Sequence, residues 1–427
     1  MAELALLGGR PVRVKPFPSY KTMGEEEKHA VAEVMDSACL SDFLAAWGPK
    51  HLGGPRVRAL EATWAKHFGV KHAVAMNSAT SALYAAMGAA GVGPGDEVVV
   101  SPYTMAASVT CALVFNAVPV FADIDPETFC ISPRTIKAVL SPRTKAIVPV
   151  DILGHPADMD PIMELARQRG LLVVEDAAQA YGATYHGRKA GTLGHIGVFS
   201  LNYHKTIHTG EGGISVTNDD DLADRLRLIR NHAEVVAGDM GRKDLAGLVG
   251  FNFRLGEIEA AIALEQLKRM PALATARVDN ADFLTAKLAG LAGLTPPVVK
   301  PEVVHGYYLY AIRYDEQAVG VRRDLYLQAL QAEGVPAVGG YTKPIYLQPM
   351  FQGRVAFGDK GCPFGCPHYR GHVSYEPGIC PVCERMYFKE LFFINLIHAG
   401  LGREDLEDVA AAFHKVHANL DELKAPA

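Results

Sequence analysis

Ile196-Gly-Val-Phe-Ser-Leu-Asn-Tyr-His-Lys-Thr-Ile-His-Thr-Gly-Glu-Gly-Gly213 begins as an apolar run, breaks into a polar loop carrying one lysine, and closes on glycines. The run reads as a buried strand and the Gly-Glu-Gly-Gly as the turn into the next one. Similar runs lie on either side, at 73–76, 97–101, 119–122, 146–150, 171–175, 197–201 and 213–217, mostly separated by helical segments. Strands that are apolar throughout and joined by helices predict an α/β fold with a mostly parallel sheet covered on both faces. In such a sheet ligands bind beyond the C-terminal strand ends, which is where Lys205 falls. A lysine there is partly desolvated and acts as an amine nucleophile toward an aldehyde. A loop lysine taken at random is a solvated surface charge, so the argument rests on what accompanies this one.

Two further stretches accompany it. Leu171-Leu-Val-Val-Glu-Asp-Ala-Ala-Gln179 delivers Asp176 and Gln179 at the end of an apolar strand. A carboxylate there keeps a pyridine nitrogen protonated, and an amide holds a ring hydroxyl. Ala73-Val-Ala-Met-Asn-Ser-Ala-Thr-Ser-Ala-Leu83 is a strand turning into a helix, with Ser78, Thr80 and Ser81 where backbone amides lie free to take a phosphate. Each stretch alone has an ordinary explanation, since Asp and Ser cap helices. In this order they point to pyridoxal 5'-phosphate as cofactor, with Lys205 and Asp176 as catalytic residues.

These stretches resemble signatures of the DegT/StrS family of sugar aminotransferases, fold-type-I pyridoxal phosphate enzymes. The likeness runs from Gly8-Gly9-Arg10-Pro11-Val12 to the closing helix near 401–416, and includes Pro119-Val-Phe-Ala-Asp123, Arg230-Asn-His232 and Gly250-Phe-Asn-Phe-Arg254. The resemblance implies a large cofactor-binding domain over 1–270, including the N-terminal segment, and a smaller C-terminal α+β domain over 271–427. It implies Ser200 as a phosphate ligand and a homodimer in which Asn252 reaches the partner's cofactor phosphate. It also implies a keto sugar, nucleotide-linked, as substrate and an amino acid such as glutamate as donor. Departures lie on the substrate side. Met105 stands where an aromatic ring commonly stacks on the cofactor, with Tyr103 the other candidate, and a thioether packs on an aromatic face. Of a His-Tyr pair near the sugar in many relatives, only Tyr341 is retained. The alternatives are a keto-cyclitol aminotransferase, a pyridoxamine-dependent sugar dehydratase that uses histidine in place of the lysine, and a non-catalytic protein of the same fold. His204 gives the dehydratase some support, but counting back from Gly210 puts Lys205 at the reactive position.

The chain of 427 residues is 49% hydrophobic and 21% charged, with net charge −5, a globular composition with no call for nucleic acid or an anionic membrane as partner. The apolar run at the N-terminus is far too short for a signal-peptide core and no later run reaches the length of a membrane span, so a cytoplasmic location is expected. Seven cysteines fit a reducing compartment. Four of them, Cys362, Cys366, Cys380 and Cys383, have spacings that suit structural zinc. The segment from Cys380 through Arg385 nevertheless resembles an ordinary family segment, and the loop before it is rich in Pro and Gly. Reduced thiols and no metal are expected.

The remaining pattern predicts helices at 24–35, 57–68, 222–231 and 255–270, the last continuing through 272–288. Residues 42–55 form a turn-rich connector, and 304–314 a strand that opens the smaller domain.

Overall fold

The computed structural model describes residues 3–424. Seven strands form the central sheet: β1 His72–Met76, β2 Glu97–Val100, β3 Val118–Phe121, β4 Thr144–Val148, β5 Leu172–Asp176, β6 Ile196–Ser200 and β7 Gly213–Thr217. Each predicted run is a strand, shifted by at most a residue or two. The spatial order is β1-β7-β6-β5-β4-β2-β3. Strands β3, β2, β4, β5 and β6 pair in parallel, while β7 lies antiparallel between β6 and β1. All strands but β7 therefore end on one edge.

Alternation along the strands explains why both faces are covered. Val74, Met76, Ile196 and Val198 face one core with helices α3 (Ala79–Ala89) and α4 (Ala107–Val114). Ala73, Ala75, Phe199 and Ile214 face another, closed by α2 (Pro55–Phe68). The 32-residue helix Glu257–Leu288 carries Ala260, Ala263, Leu267 and Met270 into that second core. Farther along, Ala281, Leu284 and Leu288 enter the core of the smaller domain. Pro271 lies inside this continuous helix, so the expected boundary at 270/271 falls within it.

The smaller domain is an antiparallel sheet, order β8-β9-β11-β10, of β8 Leu294–Thr295, β9 Tyr310–Tyr314, β10 Val338–Gly339 and β11 Leu391–Ile394. The expected strand over 304–314 is broken, because Gly306 and Tyr308 donate their amides to the carbonyls of Gly154 and Leu153, at 2.8 and 2.9 Å. Tyr307 consequently takes a left-handed φ of 46°.

Two segments pack against the domain that sequence order did not give them. The chain's start joins the smaller core: Leu4 is fully buried, and the buried Glu333 carboxylate accepts the amides of Ala5 and Val12 at 2.9 and 3.0 Å. Conversely, Phe351 and Tyr375 pack edge-on and Tyr346 tilted against Phe121, and together they cover edge strand β3 of the large sheet.

Candidate active site

The register of β7 assembles the site. Gly213 pairs with Met76 on one side and Ser200 on the other, so the turn after β1 and the end of β6 flank the same glycine. Asp176 pairs with Val198, which puts the carboxylate at the same edge.

After β6 the chain doubles back, with the Leu201 amide on Gly212 O at 2.8 Å, Thr209 on Leu201 O at 2.9 Å and Lys205 on Asn202 O at 2.9 Å. This turn points Lys205 inward at 7% exposure, while its neighbours Tyr203 and His204 are exposed. Its Nζ lies 4.5 Å over the Tyr308 ring, and among the described residues no hydrogen-bond acceptor meets it. Burial pushes the amine down to about 8, against the opposing pull of the Asp176 charge. About a tenth of the amine is then uncharged at pH 7, far more than for a solvated lysine, and the uncharged form is the nucleophile. Tyr20 steadies the turn, its hydroxyl donating to Thr206 O at 2.6 Å.

Asp176 is 4% exposed. Its Oδ1 accepts the Ala178 amide at 3.1 Å, and its Oδ2 the Ser108 hydroxyl at 2.6 Å. Burial raises its pKa, while the Ser108 hydroxyl, the Ala178 amide and the Lys205 charge favour the ionised form. Gln179 accepts the Leu153 amide on Oε1 at 2.8 Å and donates from Nε2 to the Tyr341 hydroxyl at 2.9 Å. One amide hydrogen of Gln179 is left over. Tyr341 thus sits against Gln179, its ring edge-on to Tyr103 at 6.0 Å; burial pushes its hydroxyl up to about 12 and keeps it protonated. Tyr103 is fully buried, whereas Met105 is 60% exposed at the open edge. Of the two stacking candidates, only Met105 presents a free face.

Ser78 caps α3: its Oγ accepts the Ser81 amide at 3.0 Å and lies 3.0 Å from Ser81 Oγ, which donates to Asn77 Oδ1 at 2.6 Å. Ser81 is therefore committed within the cap. The amides of Ala79 and Thr80, first in the helix, lack intrahelical acceptors. The Ser200 hydroxyl, across Gly213, accepts the Asn202 amide at 3.3 Å. A Cβ on Gly213 would lie 2.3–2.4 Å from Ser78 and Ala79 backbone atoms, so the turn closes only on glycine. Asn252 is exposed, with its Oδ1 accepting Arg254 Nε at 2.8 Å.

Three members of this arrangement escaped the sequence reading. Tyr308 falls within the strand that the pattern predicts over 304–314, and the kink at Gly306-Tyr307 has no periodic signature. Ser108 and Thr104 had a signal, two hydroxyl residues in a loop following an apolar strand, but nothing showed what they would meet.

Of the four late cysteines, Cys380 and Cys383 belong to the segment that packs against Asp123, just beyond the end of β3. Cys366, Cys380 and Cys383 are buried, and the Val382 and Cys383 amides cap the Asp123 carboxylate at 2.9 and 3.0 Å. Among the described residues no group of three or more His, Cys, Asp or Glu side chains is arranged to hold a metal. Metal analysis of untagged protein is expected to find well under one zinc per chain. Stoichiometric zinc that disappears on replacing Cys380 and Cys383 would contradict this. Among the described residues no helix is long and apolar enough to cross a membrane.

Comparison with known proteins adds to the geometry. The model of the DegT/DnrJ/EryC1/StrS aminotransferase family matches residues 21–374. GDP-perosamine synthase of Caulobacter vibrioides is 40% identical over 392 residues, 91% of this chain and 95% of its own. The L-glutamine:2-deoxy-scyllo-inosose aminotransferase of Streptomyces fradiae is 34% identical over 433 residues, 97% of this chain and 98% of its own. The solved aminotransferase from Psychrobacter cryohalolentis superposes with a TM-score of 0.81 at 31% identity, covering 95% of this chain and 100% of that one, and bears out the expected fold.

Proposed function

The chain belongs to the DegT/DnrJ/EryC1/StrS aminotransferase family, and from that premise we propose that it moves an amino group from an amino acid onto a nucleotide-linked keto sugar, using pyridoxal 5'-phosphate. The observation that carries the reading is Lys205, a buried amine without an acceptor, set over Tyr308 at the same sheet edge as Asp176. The residues present fit the cofactor. The free amides of Ala79 and Thr80, with the hydroxyls of Ser78, Thr80 and Ser200, suit its phosphate, and Ser81 braces the turn. Asp176 suits the ring nitrogen, the spare amide hydrogen of Gln179 the ring hydroxyl, and Met105 a ring face.

When bound, the cofactor supplies an aldehyde that takes up the amine and a ring that withdraws electrons from the donor's α-carbon. Lys205 would hold that aldehyde through Nζ and, as a free amine, would carry the proton that leaves the donor's α-carbon. Asp176 holds the ring nitrogen's proton in place by its charge. Tyr341 closes the substrate side beside Gln179. The exposed Asn252 serves the phosphate of a partner subunit in a homodimer.

The similarity to GDP-perosamine synthase supports a nucleotide-linked sugar. The similarity to the glutamine-dependent cyclitol enzyme supports a keto-cyclitol as second reading. Exposure of His204 beside the buried Lys205 argues against the dehydratase. A single-turnover experiment separates these readings. Glutamate or glutamine alone should change the visible absorbance of the loaded protein, and a nucleotide-linked 3-keto or 4-keto hexose should reverse the change. Reversal only by keto-cyclitols selects the second reading. Reversal only by small 2-oxo acids, or no response to any amino acid, removes sugar transamination.

The phosphate cradle has its own test. Gly213→Ala forces a Cβ into backbone at Ser78 and Ala79, which costs about 1–3 kcal/mol as overpacking and opens the cradle. Pyridoxal phosphate affinity, measured by titrating the apoprotein, should fall about tenfold or more, in proportion to that strain. Unchanged affinity would move the phosphate elsewhere.

A further inference from the structure

We infer that Ser108, with Thr104 behind it, is the positioning residue that orients Asp176 and keeps it ionised toward the ring nitrogen. This rests on the cofactor reading above. Both hydroxyl residues are 1% exposed. Ser108 Oγ lies 2.6 Å from Asp176 Oδ2, and Thr104 Oγ1 lies 3.0 Å from Ser108 Oγ. An ionised carboxylate carries no proton, so Ser108 is the donor to Asp176. Its single proton being committed, Ser108 can only accept from Thr104. The pair is a directed relay, Thr104 to Ser108 to Asp176, in which each bond polarises the next.

An ordinary structural role for Ser108 would be to cap α4, in whose first turn it lies. That helix has no side-chain cap bond, and the Ser108 hydroxyl goes instead to a residue 68 positions away. The relay also has an anchor. The Thr104 carbonyl accepts the Thr342 hydroxyl at 3.0 Å, and adjacent Tyr341 holds Gln179 at 2.9 Å. One loop of the smaller domain therefore braces both side chains assigned to the ring's polar atoms. Apart from the Ala178 amide on Oδ1, Ser108 is the donor that offsets burial of the Asp176 charge. Without it the carboxyl drifts toward its neutral form, and a neutral acid no longer fixes the ring proton by charge.

The test compares Ser108→Ala, Ser108→Thr and Thr104→Val in the full chain, by titrating the apoproteins with pyridoxal phosphate and by the 15N resonance of ring-labelled cofactor. Ser108→Ala should bind about tenfold more weakly, the scale of a lost charge-assisted hydrogen bond, with the ring nitrogen shifted toward its unprotonated position. Ser108→Thr should restore both, which simple loss of packing would not predict. Thr104→Val, which does not touch Asp176, should move the nitrogen resonance in the same direction by less. Wild-type affinity and resonance in Ser108→Ala, no rescue by threonine, or an unmoved resonance in Thr104→Val would each overturn the relay while leaving the cofactor reading standing. Failure of the wild-type protein to bind pyridoxal phosphate would end that reading and the relay's role together.

Discussion

Replacing Lys205 by methionine, of similar length and no charge, is expected to reduce turnover by at least about 10⁴-fold, because the same nitrogen serves as amine nucleophile and proton carrier. Borohydride treatment of wild-type protein loaded with pyridoxal phosphate should add the cofactor's mass to the peptide containing Lys205. The variant should show no such mass, and labelling of some other lysine in both proteins would remove Lys205 from its role. The same substitution should act on stability in the opposite sense. Burial holds the folded amine at about 8, below its ordinary value of 10.5. The unfolded chain therefore binds more protons between those two values, and wild-type stability rises with pH across that window. Below about 8 the full penalty is present, so apo Lys205→Met should be the more stable protein at pH 7, by up to the order of 3 kcal/mol. The difference should vanish above about pH 10.5. Urea midpoints of the two apoproteins across this range check the sign, and a variant less stable than wild type at pH 7 would mean that the amine is not buried as a cation.

Asp176→Asn is expected to cut turnover on the order of 10³-fold while leaving the fold intact. Asparagine keeps the shape of the carboxyl group; its one oxygen can still accept the Ala178 amide, while its NH2 takes the place of Oδ2 and turns Ser108 from donor to acceptor, and the charge opposite the ring nitrogen is lost. Since burial raises the Asp176 pKa, its ionised form is disfavoured in the folded state once pH exceeds the unfolded value of 3.8. The apo variant should accordingly be at least as stable as wild type at pH 7, the wild-type deficit growing as pH rises from 3.8 to the folded pKa and staying constant above it. Turnover close to wild type would show that the ring nitrogen does not depend on this carboxylate.

The sequence by itself determined the seven strands of the large sheet, the helices covering them, and the positions of Ser78, Asp176, Gln179, Ser200 and Lys205 at strand ends. Apolar runs and helical periodicity are local records of which face is buried, and a parallel sheet carries its C-terminal strand ends to one edge whatever the loops do. Only the tertiary structure decided what each of those side chains meets. Tyr308 lies beneath Lys205 because Gly306 and Tyr308 bond to the turn at 153–154 and kink the chain. Ser108 reaches Asp176 across 68 positions, and Tyr341 reaches Gln179 across 162. The N-terminal segment belongs to the smaller core because a buried Glu333 accepts its amides, more than 300 residues away in sequence. Contacts of that span depend on how whole elements stack. Residue type and spacing along the chain fix the periodicity of an element, and leave open which distant hydroxyl, ring or amide closes against it.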